Sequence, residues 1–320
     1  MSSESEFTVK QFSPVDTSEL LSLNKQYQRR YPKAELIDGK MLLSPVFEGG
    51  KNLICASDDT NKLVGYIPLQ PHLVQDVNTP HLVWANMVIS PAFVSNRQLR
   101  GLLLEQAIIR VKEIISLTPR HPARMWFQHH ISEAEAIEYV VSRGATYGDS
   151  VLRMVRDLSG DIEVTPAPET IEVKYWDIRS DEEITDYVVA RNEALGMPVT
   201  VSDWRHFLFS VVGSNGTTVT AFDNGKLIGA VSAYWLEDEN RRLGKNAGWI
   251  ENVFILRPWR GMGIADTMIS MACKYLKENG MTEAQLDPGA SNQRAVRVYQ
   301  RMGYKIVDES RQYWLEIQTG

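Results

Sequence analysis

The chain has 320 residues, which is enough for about two domains of ordinary size. Its hydrophobic and charged fractions, 43% and 23%, are typical of folded soluble proteins rather than disordered chains. A net charge of -6 argues against a broad basic surface for nucleic acid. No leader-like start and no apolar run of membrane-spanning length are evident, so we expect a cytoplasmic protein without a nucleic-acid or membrane partner.

The sequence contains few candidate metal ligands. Cys55 and Cys273 are too few for a disulfide framework or a cysteine-rich zinc site. His129 and His130 are adjacent on a predicted strand, so their side chains should point to opposite faces. We therefore expect no bound metal.

Three pairs of segments repeat in the same order along the chain, which predicts two halves built on one plan. Residues 15–21 (VDTSELL) and 178–184 (IRSDEEI) both resemble helix starts. Residues 59–65 (DTNKLVG) and 223–229 (DNGKLIG) both resemble hairpins, and residues 142–144 and 301–303 each follow a helical stretch.

The boundary between the halves is expected near residues 160–168. The segment 158–170 (LSGDIEVTPAPET) contains Pro166 and Pro168 and few large apolar residues, which favours an extended surface linker. The expected domains are therefore residues 1–160 and residues 168–320.

The second half gives the clearer pattern of elements. Helices are predicted over 181–195, 201–210, 263–279 and 292–302. Strands are predicted over 171–176, 217–222, 227–235, 248–255, 284–286, 304–306 and 313–317. Antiparallel hairpins followed by strand–helix–strand predict an α+β domain, with a mixed, mostly antiparallel sheet flanked by helices.

The turn after the strand 248–255 is suited to binding a phosphate. The strand runs through Arg260-Gly261-Met262-Gly263 directly into a helix, whose first N–H groups lack intrahelical partners. The Lys-Ser/Thr pair of a P-loop is missing, and Asp266 stands where a dinucleotide fingerprint needs its third glycine.

Arg260-x-x-Gly263-x-Ala265 behind an apolar strand resembles the acetyl-CoA diphosphate loop of the GNAT N-acetyltransferase superfamily. A second motif, Asn292-x-x-Ala295-x-x-x-Tyr299-x-x-x-Gly303-Tyr304, matches the later helix and turn of that superfamily. The two-copy layout resembles its tandem-domain branch, of which mycothiol synthase is one example.

The resemblance implies two tandem GNAT-like domains and an N-acetyltransferase that uses acetyl-CoA. It assigns contacts with the coenzyme to the main chain of one strand, to the loop, and to the later helix: Val253, Phe254, Ile255, Arg260, Gly261, Met262, Gly263, Ile264, Ala265, Asn292 and Ala295. Asn292 is equally well explained as a helix N-cap.

The resemblance also implies the catalytic groups. Tyr299 would protonate the leaving thiolate, although a core-filling aromatic residue explains it too. Glu251 is the preferred general base for the amine, and Asp287 is the alternative, which could instead hold the positive charge of the acceptor.

The first half departs from this pattern. Its loop region, residues 90–101, is longer and has one glycine, and Val140 stands where Tyr299 is expected. A hydrophobic side chain cannot donate a proton, so we expect a degenerate, non-catalytic domain, although Tyr139 is adjacent. Three roles stay open for it: a weak coenzyme site, a wall of the acceptor cleft, or a packing partner only.

The acceptor is expected to be a small primary amine, with Tyr234, Trp235 and Asp287 as candidate contacts. Polyamines, amino sugars and amine-bearing antibiotics are candidate acceptors, the last implying a role in resistance. The alternative is a non-catalytic module that binds acyl-CoA. A monomer or a homodimer is compatible with the sequence.

Overall fold

The computed structural model describes residues 7–318 except 38, 40, 75–76, 117, 119–120, 197–198 and 209–211. These residues form two compact units. Unit 1 contains the described residues up to Val151 together with those from Glu309 onwards, and unit 2 runs from Leu152 to Asp308. No described helix is long and apolar enough to cross a bilayer.

The fourteen β-strands of the described chain are β1 (Thr8–Gln11), β2 (Leu53–Ser57), β3 (Leu63–Pro68), β4 (Gln70–His72), β5 (His81–Trp84), β6 (Val88–Ile89), β7 (Ala123–His130), β8 (Thr146–Asp157), β9 (Ile171–Trp176), β10 (Gly216–Asp223), β11 (Lys226–Tyr234), β12 (Ala247–Ile255), β13 (Glu283–Leu286) and β14 (Lys305–Ile317).

The α-helices of the described chain are α1 (Thr17–Arg30), α2 (Arg97–Ile115), α3 (Ala134–Ser142), α4 (Asp181–Leu195), α5 (Val201–Phe207), the single turn α6 (Gly213–Asn215), α7 (Glu237–Leu243), α8 (Ile264–Glu278) and α9 (Gln293–Arg301).

Unit 1 contains two sets of strands. Strands β1, β2, β3 and β6 pair antiparallel in that order. Strand β5 pairs antiparallel with β4 and parallel with β7, and β7 pairs antiparallel with the part of β14 from Ser310 to Ile317. The apolar side chains of α2 and α1 lie in two separate core clusters, each shared with β2 and β3.

Unit 2 is built on a mixed sheet. Strands β9, β10, β11 and β12 are antiparallel, β13 runs parallel to β12, and Met154–Asp157 of β8 lies antiparallel to β13. Helices α8 and α9 cover one face of this sheet, and α4 and α5 cover the other.

Local sequence explains the two main helices of unit 2. Helix α4 begins at a capping box, in which Ser180 Oγ accepts from the Glu183 N–H and the Glu183 carboxylate accepts from the Ser180 N–H. Helix α8 buries Ile264, Met268, Ala272 and Leu276, which recur on one helical face.

The internal repeat is visible in the hairpins of the two units. Hairpins β2–β3 and β10–β11 each have a register shift next to the turn, at Ala56/Ser57 and at Ala221/Phe222. Gly144 and Gly303 follow equivalent helices with φ values of 91° and 88°. The shared irregularities support two halves with one plan.

The structure differs from the sequence prediction in three places. The units change at Leu152 rather than at 160–168, because β8 continues to Asp157 and pairs with β13. The C-terminal strand is a single strand, and its residues from Glu309 belong to unit 1. Helix α5 ends at Phe207, while residues 209–210 lie outside the described part.

Candidate active site

A β-bulge in β12 sets the orientation of the side chains around the site. Glu251 pairs with Ser232 and Phe254 with Ala230, so β12 has one more residue than β11 in this interval. Asn252, with φ 51°, lies in the bulge. The extra residue shifts the alternation of side chains between the two faces of the sheet. Ile250 and Val253 therefore contribute to the core under α8, while Phe254 contributes to the core under α4.

The main chain of β12 is open on one edge beyond the bulge. Strand β12 pairs with β13 only over Ala247–Trp249 within the described residues. The Leu256 N–H donates to the Ile228 carbonyl at 2.8 Å, on the β11 side. Because successive N–H groups of a strand alternate in direction, the Ile255 N–H points to the open edge.

The loop after β12 leads into the N-terminus of α8. Gly261 and Gly263 have φ values of 89° and 80°, which favour glycine, and a Cβ on Gly263 would meet no atom within 4 Å. The first helical hydrogen bond joins the Asp266 N–H to the Gly263 carbonyl. The Ile264 and Ala265 N–H groups precede it, and Gly263 has no side chain to cap them.

A cavity of about 660 Å³ connects this helix end with the open edge of β12. It is lined by Ala194, Leu195, Val253, Phe254, Ile255, Arg260, Gly261, Gly263, Ile264, Ala265, Asp266, Ile269, Asn292, Arg294, Ala295, Arg297, Val298, Tyr299 and Arg301. The structure thus brings together all the residues predicted to contact the coenzyme except Met262, whose side chain is exposed.

Arg260 lines the cavity, and its side chain also bonds to the main chain around it. Its Nε donates to the Ile255 carbonyl at 2.8 Å and its Nη2 donates to the Ala194 carbonyl at 2.9 Å. The side chain therefore fastens the loop to β12 and to the end of α4. Its remaining N–H groups and its positive charge are not paired with an acid in the described structure, so its predicted contact with the coenzyme stays a prediction.

Further cations of the cavity come from α9, and sequence reasoning missed them. Arg294 and Arg297 line the cavity, and Nη2 of Arg294 lies 3.7 Å from the position of a Cβ on Gly261. Arg301 pairs with Asp266 at 2.7 and 2.8 Å and so offsets the one acid in the first turn of α8. The spacing of these arginines on one short helix was the available signal.

Asn292 and Tyr299 both lie on α9 and line the cavity. Asn292 Oδ1 accepts from the Ala295 N–H at 3.2 Å, which is the N-cap geometry that the sequence left open. Tyr299 is 8% exposed and contacts the Tyr304 ring edge-on at 5.9 Å. Burial raises the pKa of Tyr299 to about 12, so its hydroxyl retains a proton at neutral pH.

Glu251 is half-buried on the α4 face of the sheet, beside Tyr234. Burial raises the pKa of Glu251 and the nearby Asp287 charge adds to the rise, while a hydrogen bond from the Tyr234 hydroxyl opposes it. A carboxylate with a raised pKa is a stronger base than a solvated one. Glu251 is not among the described residues that line the 660 Å³ cavity.

Asp287 is held in an ion pair within unit 2. Arg153 donates to both carboxylate oxygens, at 2.5 and 2.8 Å, and its guanidinium lies 4.6 Å from the centre of the Trp249 ring. Both oxygens of Asp287 are thus occupied, whereas Glu251 is bonded by a neutral hydroxyl. This contrast favours Glu251 as the free base.

The two aromatic residues predicted as acceptor contacts lie on different faces of the sheet. Tyr234 contributes to the core under α4 and α5. Trp235 packs against the core under α8 and lines a separate cavity with Asn240, Lys245 and Met281. The alternation of side chains along a strand separates neighbours in this way, so Trp235 does not lie with Tyr234, and its contact with the acceptor stays a prediction.

The corresponding region of unit 1 is constructed differently. The N-terminus of α2 is capped by its own sequence, because Asn96 Oδ1 accepts from the Leu99 N–H at 2.9 Å. The adjacent pocket measures about 110 Å³. Glu135 and Glu138 of α3 line this pocket and lie nine and six residues before Gly144. In unit 2, Arg294 and Arg297 lie at the same two distances before Gly303, so acids in unit 1 stand where unit 2 has arginines. Val140 is buried in the core.

Comparison with known proteins agrees with this geometry. Residues 175–304 match the model of the Acetyltransferase (GNAT) family. The N-alpha-acetyltransferase MAK3 of Arabidopsis thaliana is 24% identical over 144 residues, which is 45% of this chain and 72% of that protein.

Two solved structures resemble nearly the whole chain. A GCN5-related N-acetyltransferase from Sphaerobacter thermophilus has a TM-score of 0.75 at 20% identity, with 98% of this chain and 96% of that one covered. A tandem GNAT protein from the clavulanic acid biosynthesis pathway has a TM-score of 0.65 at 14% identity, with 98% and 99% covered.

The GNAT acetyltransferase domain of this chain is the region 175–304, and the chain that carries it is an enzyme. The superfamily, the tandem α+β fold and the class of enzyme predicted from the sequence are thereby confirmed.

Proposed function

We propose that this enzyme transfers the acetyl group of acetyl-CoA to the primary amine of a small molecule. One observation carries the proposal: a single cavity joins the uncapped N-terminus of α8, the open edge of β12 and the Tyr299 side chain. These are the parts needed to hold an anion, an extended arm and a reacting sulfur atom.

The residues of the cavity fit the coenzyme. The N–H groups of Ile264 and Ala265 would bind the diphosphate at the positive end of the α8 dipole, with Arg294 and Arg297 adding charge. The open edge at Val253 and Ile255 would bind the pantetheine arm, and the Ile255 N–H would bind the thioester oxygen. The thioester supplies the acetyl group.

Glu251 and Tyr299 have complementary roles in this proposal. Glu251 takes a proton from the ammonium group of the acceptor, so that the amine becomes a nucleophile. Tyr299 gives its hydroxyl proton to the sulfur atom as the C–S bond breaks. As the amine nitrogen bonds to the acetyl carbon it releases a second proton, which restores the Tyr299 hydroxyl, so the products are an amide, a free thiol and a protonated Glu251 that returns its proton to solvent.

The acceptor is proposed to bind beside Tyr234 as a cation. The carboxylates of Glu239, Glu251 and Asp287 all act on the Tyr234 hydroxyl, and burial together with these charges raises its pKa. Such a group of acids favours a positively charged amine over a neutral or acidic compound.

A peptide α-amine is the second candidate acceptor, because MAK3 is named as an N-alpha-acetyltransferase and is 24% identical to this chain. Release of free thiol from acetyl-CoA should be measured with polyamines, amino sugars, amine-bearing antibiotics and short peptides. We expect turnover with a small cationic amine. Turnover confined to peptides would overturn the small-molecule assignment, and none with any amine would overturn the function.

Unit 1 is proposed to be non-catalytic. Its helix N-terminus is capped by Asn96, its pocket is about one-sixth the size of the cavity in unit 2, and Val140 cannot donate a proton.

Replacing Gly263 by valine should weaken binding of desulfo-CoA about 10²-fold, because two or more hydrogen bonds to a charged group are lost. Valine at φ 80° is strained, and its side chain would stand in the open space before the helix end. Titration calorimetry measures the affinity.

Gly280→Val is the matched control for this variant. Gly280 has φ 85° and lies just beyond the opposite end of α8, outside the cavity, so the strain is comparable. We expect desulfo-CoA to bind this control like the unchanged protein. Equal affinities of the two valine variants would show that the coenzyme binds elsewhere.

A further inference from the structure

Unit 1 contains a small pocket at the start of α2 that the proposed reaction does not use. It has a volume of about 110 Å³ and is lined by Val94, Ser95, Arg97, Arg100, Glu135, Glu138 and Tyr139. The pocket is far too small for a coenzyme of the size that fits the 660 Å³ cavity.

Arg100 brings a buried positive charge to this pocket. Arg100 is 2% exposed, and its Nε and Nη2 donate to the Val94 carbonyl at 3.0 and 2.9 Å. Nη1 has only the Met87 sulfur, at 3.9 Å, as a partner in the described structure. No described carboxylate lies within ion-pair distance of Arg100, and an uncompensated buried charge is costly.

Tyr139 adds a buried donor to the same pocket. Tyr139 is 4% exposed, and its hydroxyl is buried without a hydrogen-bond partner in the described structure. The Arg100 guanidinium lies 5.6 Å from the centre of the Tyr139 ring. Buried hydroxyls are normally paired, so this one marks a place for an acceptor atom.

The two acids of the pocket do not neutralise Arg100. Glu135 pairs with Arg30 at 2.6 Å and also accepts from the Tyr31 hydroxyl at 2.7 Å, while Glu138 pairs with Arg97 at 2.8 Å. Each of these carboxylates thus pairs with an arginine other than Arg100.

We propose that this pocket binds one small free oxyanion, a carboxylate or phosphate ion, between the Arg100 guanidinium and the Tyr139 hydroxyl. The anion would supply the missing counter-charge of Arg100 and the missing acceptor of Tyr139. The proposal concerns unit 1 alone and stands independently of the acetyl transfer proposed for unit 2.

The test is titration calorimetry of the full chain with sodium phosphate and, separately, with sodium acetate. All chains carry Gly263→Val, which is designed to weaken anion binding at α8. Tyr139→Phe should weaken binding of the preferred anion about tenfold or more, the usual effect of removing a hydrogen bond to a charged group. Tyr147→Phe, at an exposed tyrosine of the same unit, is the matched control.

The outcomes separate clearly. Tighter binding of phosphate or of acetate identifies the oxyanion, and loss of that binding in Tyr139→Phe but not in Tyr147→Phe supports the pocket. Equal binding by both variants, or no binding of either anion, overturns it. Arg100→Met should abolish the same binding; if that variant does not fold, the conservative Tyr139→Phe still decides the question.

Discussion

Replacing Tyr299 by phenylalanine should lower kcat about 10²- to 10³-fold, the usual effect of losing a general acid. Phenylalanine retains the ring that packs against Tyr304, so the fold and the binding of coenzyme should be preserved. Because burial holds the pKa of Tyr299 at about 12, the unchanged enzyme should show no loss of this acid up to pH 9. Thiol release and calorimetry with desulfo-CoA measure the two effects.

The control for this variant is Tyr304→Phe, which removes a buried hydroxyl bonded to Cys273 Sγ at 3.2 Å in the same core. It should alter stability and leave turnover unchanged. An acetyl thioester of a more acidic thiol should restore much of the rate of Tyr299→Phe, since such a leaving group needs no proton. Unchanged turnover in Tyr299→Phe would remove the role of acid from this residue.

Replacing Glu251 by glutamine should lower kcat/KM at neutral pH about 10²- to 10⁴-fold, because the acceptor is then no longer deprotonated by the enzyme. The hydrogen bond with Tyr234 can persist to the amide, so the effect should fall on the chemistry rather than on folding. Rates measured over a range of amine concentrations at each pH give kcat/KM and test this expectation.

The dependence of activity on pH tests the assignment of Glu251 as the general base. A base works when deprotonated, so activity of the unchanged enzyme should fall as the pH drops through the pKa of Glu251. Burial raises that pKa above 4.5, so the acidic limb should lie at higher pH than for a solvated glutamate. Glu251→Gln should lose this limb and regain rate at high pH, where the amine is already neutral.

Two neighbouring acids serve as controls for Glu251. Glu239→Gln alters a carboxylate that accepts from Trp249 Nε1 at 3.3 Å, and it should reduce affinity for the cationic acceptor without removing the limb. Asp287→Asn tests the alternative base. If Asp287→Asn abolishes the limb while Glu251→Gln retains it, the base is Asp287.

The fold of unit 2 could be predicted because its signals are local. Helix α4 matches the predicted span 181–195, since its capping box and Gly196 mark both ends. The hairpin β10–β11 follows from the Asn224-Gly225 turn, whose φ values are 48° and 78°. The turn before α8 was predicted because Gly261 and Gly263 directly precede a helix.

The remaining features depend on contacts that are distant in sequence. The pairing of β8 with β13 moves the unit boundary to Leu152, although the prolines at 166 and 168 mark an extended segment. The bulge at Asn252 depends on the register with β11, and it decides the face on which each later side chain of β12 lies.

Two features of the candidate site also depend on contacts between residues that are distant in sequence. Arg260 was expected to contact the coenzyme, and its bonds to the Ile255 and Ala194 carbonyls form only in the folded chain and have no signal in the sequence. The ion pair between Asp287 and Arg153 joins residues that are 134 positions apart in the sequence. Motif spacing therefore predicted which residues line the cavity, and the folded structure determines which of them are free to act.

The central claim is that the main-chain amides at the start of α8 bind the diphosphate of an acyl-CoA. A crystal structure of the full chain with desulfo-CoA tests it most directly. We predict diphosphate oxygens within hydrogen-bond distance of the Ile264 or Ala265 N–H groups, and a pantetheine arm along Val253 and Ile255. A coenzyme bound elsewhere, with those amides free, would contradict the account.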